Sequence, residues 1–191
     1  EKTVSPAQLP SNSPGTDPIT YTLEVTAYDS GLTDVDLCDE LPSGLLYIAG
    51  TTRVILPDGT EITDTPVSTD PAVNTLASDA VCGSATALYW DMSAIVGGTS
   101  FPLAVSNTVT VEFKVQSTVT PYAGGVYTNV AVAVGTGANN ENFRPTDRAY
   151  TAVGDLQVTK TASAIGPLIP GQIVDYTVTI QNLGSSAQSA V

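Results

Sequence analysis

Along much of this 191-residue chain, apolar and polar residues alternate with a period of two, and this pattern constrains the fold more than any other feature. In the segment 20–27, apolar side chains occupy the odd positions and mostly Thr occupies the even ones. The segments 35–41 and 109–115 follow a similar pattern. Because successive side chains of a β-strand point to opposite faces, each segment predicts a strand with one buried face. The chain is therefore predicted to be all-β.

Turn-forming residues separate the predicted strands. Pro57-Asp58-Gly59 stands between the segments 52–56 and 60–63, which predicts a hairpin with a tight turn. The segment 127–134 is largely apolar on both faces, so it predicts a central strand, and 148–153 predicts a short strand after a polar loop. Many short strands with Gly, Pro and Asn between them predict a β-sandwich.

The beginning of the chain recurs near its end. Lys2-Thr3 precedes a Pro/Gly loop and then Tyr21-Thr22, and Lys160-Thr161 precedes a similar loop and then Tyr176-Thr177. The recurrence predicts one complete immunoglobulin-like repeat over residues 1–153 and the opening strands of a second repeat over 155–191. About 35 residues cannot bury a core alone. We therefore expect the second segment to continue in a tandem array, to pack on the first repeat, or to be completed by strand exchange with another copy.

The charge of the chain excludes several classes of partner. There are 19 acidic and 6 basic residues, so the net charge is −13. Binding to nucleic acid or to an anionic membrane surface needs clustered Lys and Arg, so neither is expected. The chain contains no His and no nucleophile-elbow motif, so we expect no enzymatic activity. We also expect no membrane insertion in this segment, because no apolar stretch is long enough.

The sequence leaves undecided whether a disulfide or a bound metal ion stabilises the fold. Cys38 and Cys82 could form a disulfide in an oxidising compartment, or could remain a buried and an exposed thiol. No segment has the spacing of a known calcium loop, so we expect no resident cofactor or metal, with calcium as the alternative. The residues with oxygen ligands suited to Ca²⁺ are Asp29, Asp34 and Asp36, and the segment 139–142.

Several motifs together resemble a known family. They are the Lys-Thr start, the segment 39–47 (Asp-Glu-Leu-Pro-Ser-Gly-Leu-Leu-Tyr), Trp90 and the segment 127–131 (Tyr-Thr-Asn-Val-Ala). Over nearly the whole chain, this combination resembles the bacterial "conserved repeat" domain, domain of unknown function eleven. The resemblance implies an immunoglobulin-like sandwich related to the collagen-adhesin modules of surface proteins and pili. It also implies a secreted or cell-surface protein whose repeats serve spacing, adhesion or filament building.

The resemblance further implies an intramolecular isopeptide bond. In related modules a Lys on an early strand joins an Asn on a late strand, helped by a buried acidic residue. The matching positions here are Lys2, Asn129 and Asp39, and Lys160 matches the Lys in the second repeat. The reaction requires a neutral amine and a protonated acid, and an apolar interior favours both.

The period-two alternation also predicts which of these residues lie on the apolar face of their strands. Asp39 and Lys160 share the parity of the apolar residues around them, so both are predicted on apolar faces, whereas Lys114 is predicted to be exposed. Ordinary roles are the alternatives: Lys2 as an exposed terminal residue, Asp39 as a cap of the following loop, and Asn129 as a hydrogen-bonded buried amide.

We therefore expect a structural or adhesive repeat of an extracellular bacterial protein, acting as a building block of a stalk or fibre. The expected partners are neighbouring repeats, other copies of the protein, or a host or matrix ligand. Two alternatives are a filament subunit assembled by strand exchange and a carbohydrate- or protein-binding module. The aromatic residues that could line a carbohydrate platform, or instead pack in the core, are Tyr28, Tyr47, Tyr89, Trp90 and Tyr122.

Overall fold

The computed structural model describes residues 1–28, 30–63, 82, 87–137, 141–163, 171 and 173–183. Nearly all of the regular structure is strand, which confirms the all-β prediction, and the described residues include one helical turn, α1 (Met92–Ile95). No described helix is long and apolar enough to span a membrane. The strands are β1 (Lys2–Ser5), β2 (Gln8–Leu9), β3 (Ile19–Thr26), β4 (Leu32–Glu40), β5 (Leu45–Tyr47), β6 (Arg53–Ile55), β7 (Glu61–Thr63), β8 (Ala87–Asp91), β9 (Thr108–Ser117), β10 (Gly125–Gly137), β11 (Asn142–Phe143), β12 (Thr146–Val153), β13 (Leu156–Ala162) and β14 (Tyr176–Asn182).

Strands β1 to β12 form two sheets of six strands each. The order in the first sheet is β1-β3-β9-β6-β7, and β5 also pairs with β9. The order in the second sheet is β2-β12-β10-β4-β8, and β11 also pairs with β10. The predicted hairpin is confirmed as β6 and β7, and the segment 127–134 is confirmed as part of a central strand, β10.

The two sheets face each other across one apolar core, as in an immunoglobulin-like sandwich. The odd-numbered residues of β9 are buried, and Lys114 between them is exposed as predicted. The ring of Phe113 fills the space between the sheets, with its centroid 5.2 Å from that of Trp90 and 5.6 Å from that of Tyr21. Trp90 lies on β8, whose first four residues are all buried, so this strand carries no period-two signal.

The outer face of the second sheet carries a smaller apolar cluster. Cys38 is buried on this face and pairs across strands with Tyr89, and Cys82 covers both positions. A disulfide joins Cys38 to Cys82. Parity predicts that Asp36 and Glu40 on the same face are exposed to solvent, but both are half-buried. The reason is that the cluster around the disulfide shields part of this face.

Strands β13 and β14 form a separate two-stranded antiparallel sheet with mostly exposed side chains. The linker before β13 is held by the segment that contains β2. Gln8 Nε2 donates hydrogen bonds to the carbonyl oxygens of Gly154 at 3.2 Å and Leu156 at 2.7 Å. The backbone N–H of Ser11 donates to the Asp155 carboxylate at 3.0 Å. These contacts tie the start of the second hairpin to the first sandwich.

Candidate functional site

Lys2 and Asp39 form an ion pair inside the sandwich. Lys2 lies on β1 in the first sheet and Asp39 lies on β4 in the second, so the pair bridges the two sheets. Lys2 Nζ donates to Asp39 Oδ2, and the exposed fractions of the two side chains are 1% and 0%. Lys2 is therefore not an exposed terminal residue, and the Asp39 side chain faces the core instead of capping a loop.

Neighbours on both sides position the short strand β1. Its register with β3 pairs Lys2 with Leu23. The backbone nitrogen of Glu1 donates to the carbonyl of Glu24 at 2.7 Å, and the N–H of Glu24 donates back to the carbonyl of Glu1 at 2.8 Å. On the opposite side, the N–H of Lys2 donates to the Asp147 carboxylate at 2.8 Å. These bonds fix the backbone from which the Lys2 side chain enters the core.

Asn129 lies on β10 diagonally across from Asp39. Asp39 is the register partner of Ala131, so Asn129 is its diagonal neighbour on the same inner face of the sheet. Asn129 is completely buried, and neither polar atom of its side-chain amide has a hydrogen-bond partner among the described residues. The amide is nevertheless close enough to Asp39 and Tyr21 to oppose the rise in the pKa of both groups.

Burial shifts both members of the ion pair toward their neutral forms. Loss of solvation lowers the pKa of Lys2, against the opposing charge and hydrogen bond of Asp39. Loss of solvation also raises the pKa of Asp39, against the opposing effects of Lys2 and of the nearby Asn129 amide. A proton shared within such a pair leaves an amine next to a carboxylic acid, which is the combination needed for amide exchange.

Two hydroxyl side chains that the alternation does not single out complete the site. The ring of Tyr21 packs against Lys2, with Nζ 5.0 Å from the ring centre, and Thr151 is fully buried on the neighbouring strand β12. Burial raises the pKa of Tyr21 to about 12, with smaller opposing effects from Thr151 and Asn129. The recurrence of this Tyr as Tyr176 on β14 is the sequence signal that could have identified it.

Buried polar atoms without partners are concentrated at this site. Among the described residues they include Oδ1 of Asp39, both amide atoms of Asn129, and the hydroxyl oxygens of Tyr21 and Thr151. Buried polar groups are nearly always hydrogen-bonded, so such a concentration needs an explanation. One explanation is chemistry between these groups, since perturbed and unpaired groups cluster where reactions take place.

Lys160 lies in a different environment from Lys2. It is exposed on the hairpin of β13 and β14, with its Nζ atom 4.3 Å from the centre of the Tyr176 ring. The apolar face predicted around it exists, but it is open to solvent, with Leu156 52% and Val158 65% exposed. The reason is that no described strand packs over this hairpin.

The disulfide lies beside the site along β4 but on the other face of the sheet. Cys38 precedes Asp39 directly, but its disulfide to Cys82 lies on the opposite face of β4. Of the residues considered for calcium, Asp29 and the pair 139–140 lie outside the described residues. Within the described ranges, no group of three His, Cys, Asp or Glu side chains could hold a metal ion.

The aromatic residues considered for a carbohydrate platform do not form one. Trp90, Tyr89 and Tyr122 are buried, and Tyr47 is half-buried. Tyr28 is exposed, at 77%. These side chains are divided between the core, the outer-face cluster and solvent, so the platform alternative is wrong and the packing alternative holds for most of them.

Comparisons with known proteins identify the fold but no family. No protein-family model matches the chain, and no curated protein matches it. The full-length major pilin SpaD from Corynebacterium diphtheriae is similar in structure, with a TM-score of 0.53, 19% identity, and coverage of 84% of this chain and 35% of the pilin. Domains D2 and D3 of the same pilin give a TM-score of 0.54, 20% identity, and coverage of 85% and 54%. The chain therefore has the fold of these immunoglobulin-like pilin domains and spans only part of their length.

Proposed function

We propose that this chain is a structural repeat of an extracellular bacterial surface protein, a building block of a stalk or fibre. In this proposal an isopeptide bond between Lys2 and Asn129 locks the first sandwich. The observation that carries it is the buried Lys2–Asp39 pair beside an Asn129 amide without hydrogen bonds. The likeness of the fold to pilin domains supports a structural role. The only reaction proposed is the chain's reaction with itself, and no activity on other molecules is part of the proposal.

The proposed reaction transfers the side-chain acyl group of Asn129 to Lys2. A proton first passes from the Lys2 ammonium to the Asp39 carboxylate, leaving an amine and a carboxylic acid. Nζ then attacks Cγ of Asn129 while the acid donates a hydrogen bond to Oδ1. The Cγ–Nδ2 bond breaks, and Asp39 carries one proton from Nζ to the departing nitrogen, which leaves as ammonia. One amide replaces another, and Asp39 keeps the proton that it took first.

The positions of the two residues joined by the proposed isopeptide bond suit a mechanical role. Lys2 lies on an edge strand of the first sheet and Asn129 lies on a central strand of the second. A covalent bond between them would cross the core, so the sheets could not separate without breaking it. The new amide would also replace the unbonded Asn129 amide and the buried amine with groups that Asp39 can hydrogen-bond.

An extracellular location follows from the disulfide in this proposal. The Cys38–Cys82 bond is of the kind that persists in oxidising compartments and is rare in the cytosol. A surface protein with this location would contact neighbouring repeats of itself and, in an adhesive role, a host or matrix ligand. The strongly acidic charge disfavours nucleic acid as a partner.

The exposed hairpin supports a second candidate function, that of a filament subunit. Val178 and Ile180 on β14 are 56% and 68% exposed, and Val158 on β13 is 65% exposed. Such a patch favours a neighbouring repeat in the same chain, or strand exchange with another copy. Electron microscopy and light scattering of the purified chain test this: linear polymers would support the filament, and a monodisperse monomer would oppose it.

Intact mass measurement under reducing conditions tests the isopeptide proposal. We expect the folded chain to be one ammonia lighter than its sequence, and Lys2→Ala and Asn129→Ala variants to have the full sequence mass. Lys114→Ala is the matched control, because Lys114 is exposed and should leave the deficit intact. A full sequence mass for the unmodified chain would disprove the cross-link. Peptide mapping should locate the bond between the fragments that contain Lys2 and Asn129.

A further inference from the structure

Three buried polar side chains form a diagonal row on the inner face of the second sheet. Asp39 on β4 is diagonal to Asn129 on β10. The direct partner of Asn129 on β12 is Ala149, so Asn129 is in turn diagonal to Thr151. The three polar residues of the row are completely buried. The Asn129 amide therefore lies between a carboxylate on one side and a hydroxyl group on the other.

Tyr21 contacts this row from the opposite sheet. It lies on β3 as the diagonal neighbour of Lys2, whose register partner is Leu23. Its ring contacts Lys2, with Nζ 5.0 Å from the ring centre. Its hydroxyl end reaches the row, because burial raises the pKa of Tyr21 to about 12 and both Thr151 and Asn129 oppose this rise. One side chain therefore contacts both residues that the proposed isopeptide bond would join.

The Asn129 amide can present either its nitrogen or its oxygen to Asp39. Loss of solvation raises the pKa of Asp39, and Lys2 and the Asn129 amide oppose this rise. A nearby N–H favours the ionised form of an acid, so the carboxylate attracts Nδ2. In that orientation Oδ1 cannot receive the hydrogen bond that the proposed attack on Cγ requires. A second acceptor for Nδ2 would favour the reactive orientation, with Oδ1 toward the acid.

We propose that the Tyr21 hydroxyl accepts a hydrogen bond from Nδ2 of Asn129 and thereby turns Oδ1 toward Asp39. A second hydrogen bond, shared with Thr151 Oγ1, fixes the phenol oxygen in place. Both bonds form in the reactive arrangement, and Tyr21 acts only as a positioning residue that forms no covalent bond and transfers no proton. This role rests on the isopeptide bond of the proposed function. It accounts for two buried hydroxyl groups, without hydrogen-bond partners among the described residues, beside one amide.

The rate of ammonia loss from the folded chain tests this role. The full chain is purified in urea from inclusion bodies, before it has folded, and is then diluted to start folding. The fluorescence of its single tryptophan, Trp90, reports folding, and intact mass in acid-quenched samples reports the reaction. Tyr21→Phe keeps the ring that contacts Lys2 and removes only the hydroxyl. We expect this variant to lose ammonia at least about tenfold more slowly than the unmodified chain after folding.

Two variants at Thr151 separate hydrogen bonding from packing. Thr151→Val keeps the shape of the side chain without the hydroxyl and should slow ammonia loss at least about threefold. Thr151→Ser keeps the hydroxyl and should react within about twofold of the unmodified rate. A role in packing alone predicts the reverse order, because Val fills the space that Thr fills and Ser leaves a cavity. This order decides the question even if Tyr21→Phe does not fold.

Tyr122→Phe is the matched control. Tyr122 is also buried, but its hydroxyl donates to the carbonyl of Asp17 at 2.6 Å and not to a group of the site. Its removal should lower the stability of the fold and leave the rate of ammonia loss unchanged. Equal slowing in Tyr122→Phe and Tyr21→Phe would mean that the rate follows stability, which would overturn the positioning role.

The remaining outcomes separate this role from the proposed function. Ammonia loss from Tyr21→Phe at the unmodified rate, or faster loss from Thr151→Val than from Thr151→Ser, would overturn the positioning role and leave the isopeptide bond intact. A folded, unmodified chain that keeps its full sequence mass would overturn the isopeptide bond, and the positioning role with it.

Discussion

The Nζ atom of Lys160 lies 4.3 Å from the centre of the Tyr176 ring, and Lys2 stands in the same relation to Tyr21 at 5.0 Å. The two lysines differ in whether a second sheet packs over the side chain. Lys2 meets a second sheet that supplies Asp39, whereas Lys160 is exposed. The hairpin thus forms one half of the site, and the other half comes from strands that pack across the core.

This difference predicts that Lys160 does not react within the described chain. A Lys160→Ala variant should keep the loss of one ammonia, because no buried acid or amide among the described residues faces this lysine. Its thermal unfolding midpoint should match that of the unmodified chain. Intact mass and calorimetry measure both quantities. Loss of the ammonia deficit in this variant would show that the bond involves Lys160 and not Lys2.

Replacing the buried acid should slow the cross-link without removing either end of it. In an Asp39→Asn variant the group that carries protons is lost, so the reaction should slow by about a hundredfold or more. The freshly purified protein should then show the full sequence mass, with ammonia lost only slowly. Glu40→Gln is the matched control, since Glu40 is adjacent but on the outer face. Equal behaviour of the two variants would contradict a role for Asp39.

Removing the acceptor should lower stability by the amount that a long covalent loop contributes. A bond between residues more than about 100 positions apart contributes about 5 kcal/mol through the entropy of the unfolded chain. The free energy of unfolding of Asn129→Ala, measured in urea, should therefore be about 5 kcal/mol lower. This variant is more informative than Lys2→Ala, which would also leave Asp39 buried and unpaired. A Thr128→Ala control, on the exposed face, should differ little from the unmodified chain.

Loss of the disulfide should destabilise the sandwich without affecting the isopeptide chemistry. The two cysteines are 44 positions apart. By the same loop-entropy argument, a bond that closes a loop of this length contributes about 4 kcal/mol to the free energy of unfolding. A Cys38→Ser, Cys82→Ser double variant should lose about this amount of unfolding free energy. Its ammonia deficit should persist, because Cys38 and Asp39 face opposite sides of β4. A full sequence mass for this variant would link the two bonds.

The buried hydroxyl of Tyr21 predicts a loss of stability at alkaline pH. Its pKa is raised to about 12 in the folded chain from an ordinary value of 10.0. Below pH 10 the hydroxyl is protonated in both states, so its contribution to stability is complete. As the pH rises toward 12 the unfolded chain releases this proton first, and about 2.7 kcal/mol is lost. Urea unfolding across this range should show the loss in the unmodified chain and a smaller one in Tyr21→Phe.

The period-two alternation was enough to predict the all-β class, the burial of Asp39 and the exposure of Lys114. Each of these depends on the geometry of a single strand, because neighbouring side chains of any strand point to opposite faces. The same reasoning did not reveal β8, whose two faces are both covered, or the half-buried state of Asp36 and Glu40. Those features depend on which segments lie over the outer face.

The sequence by itself determined where the alternating strands form and which of their residues share a face, because these are properties of neighbouring residues in one chain. The tertiary structure decided the rest. It decided which face of β10 meets the core and brings Asn129 diagonal to Asp39, and it joined Cys38 to Cys82. It also decided that Lys2 is buried while Lys160 is exposed. The physical reason is that burial depends on the packing of strands distant in sequence, which residue spacing does not encode.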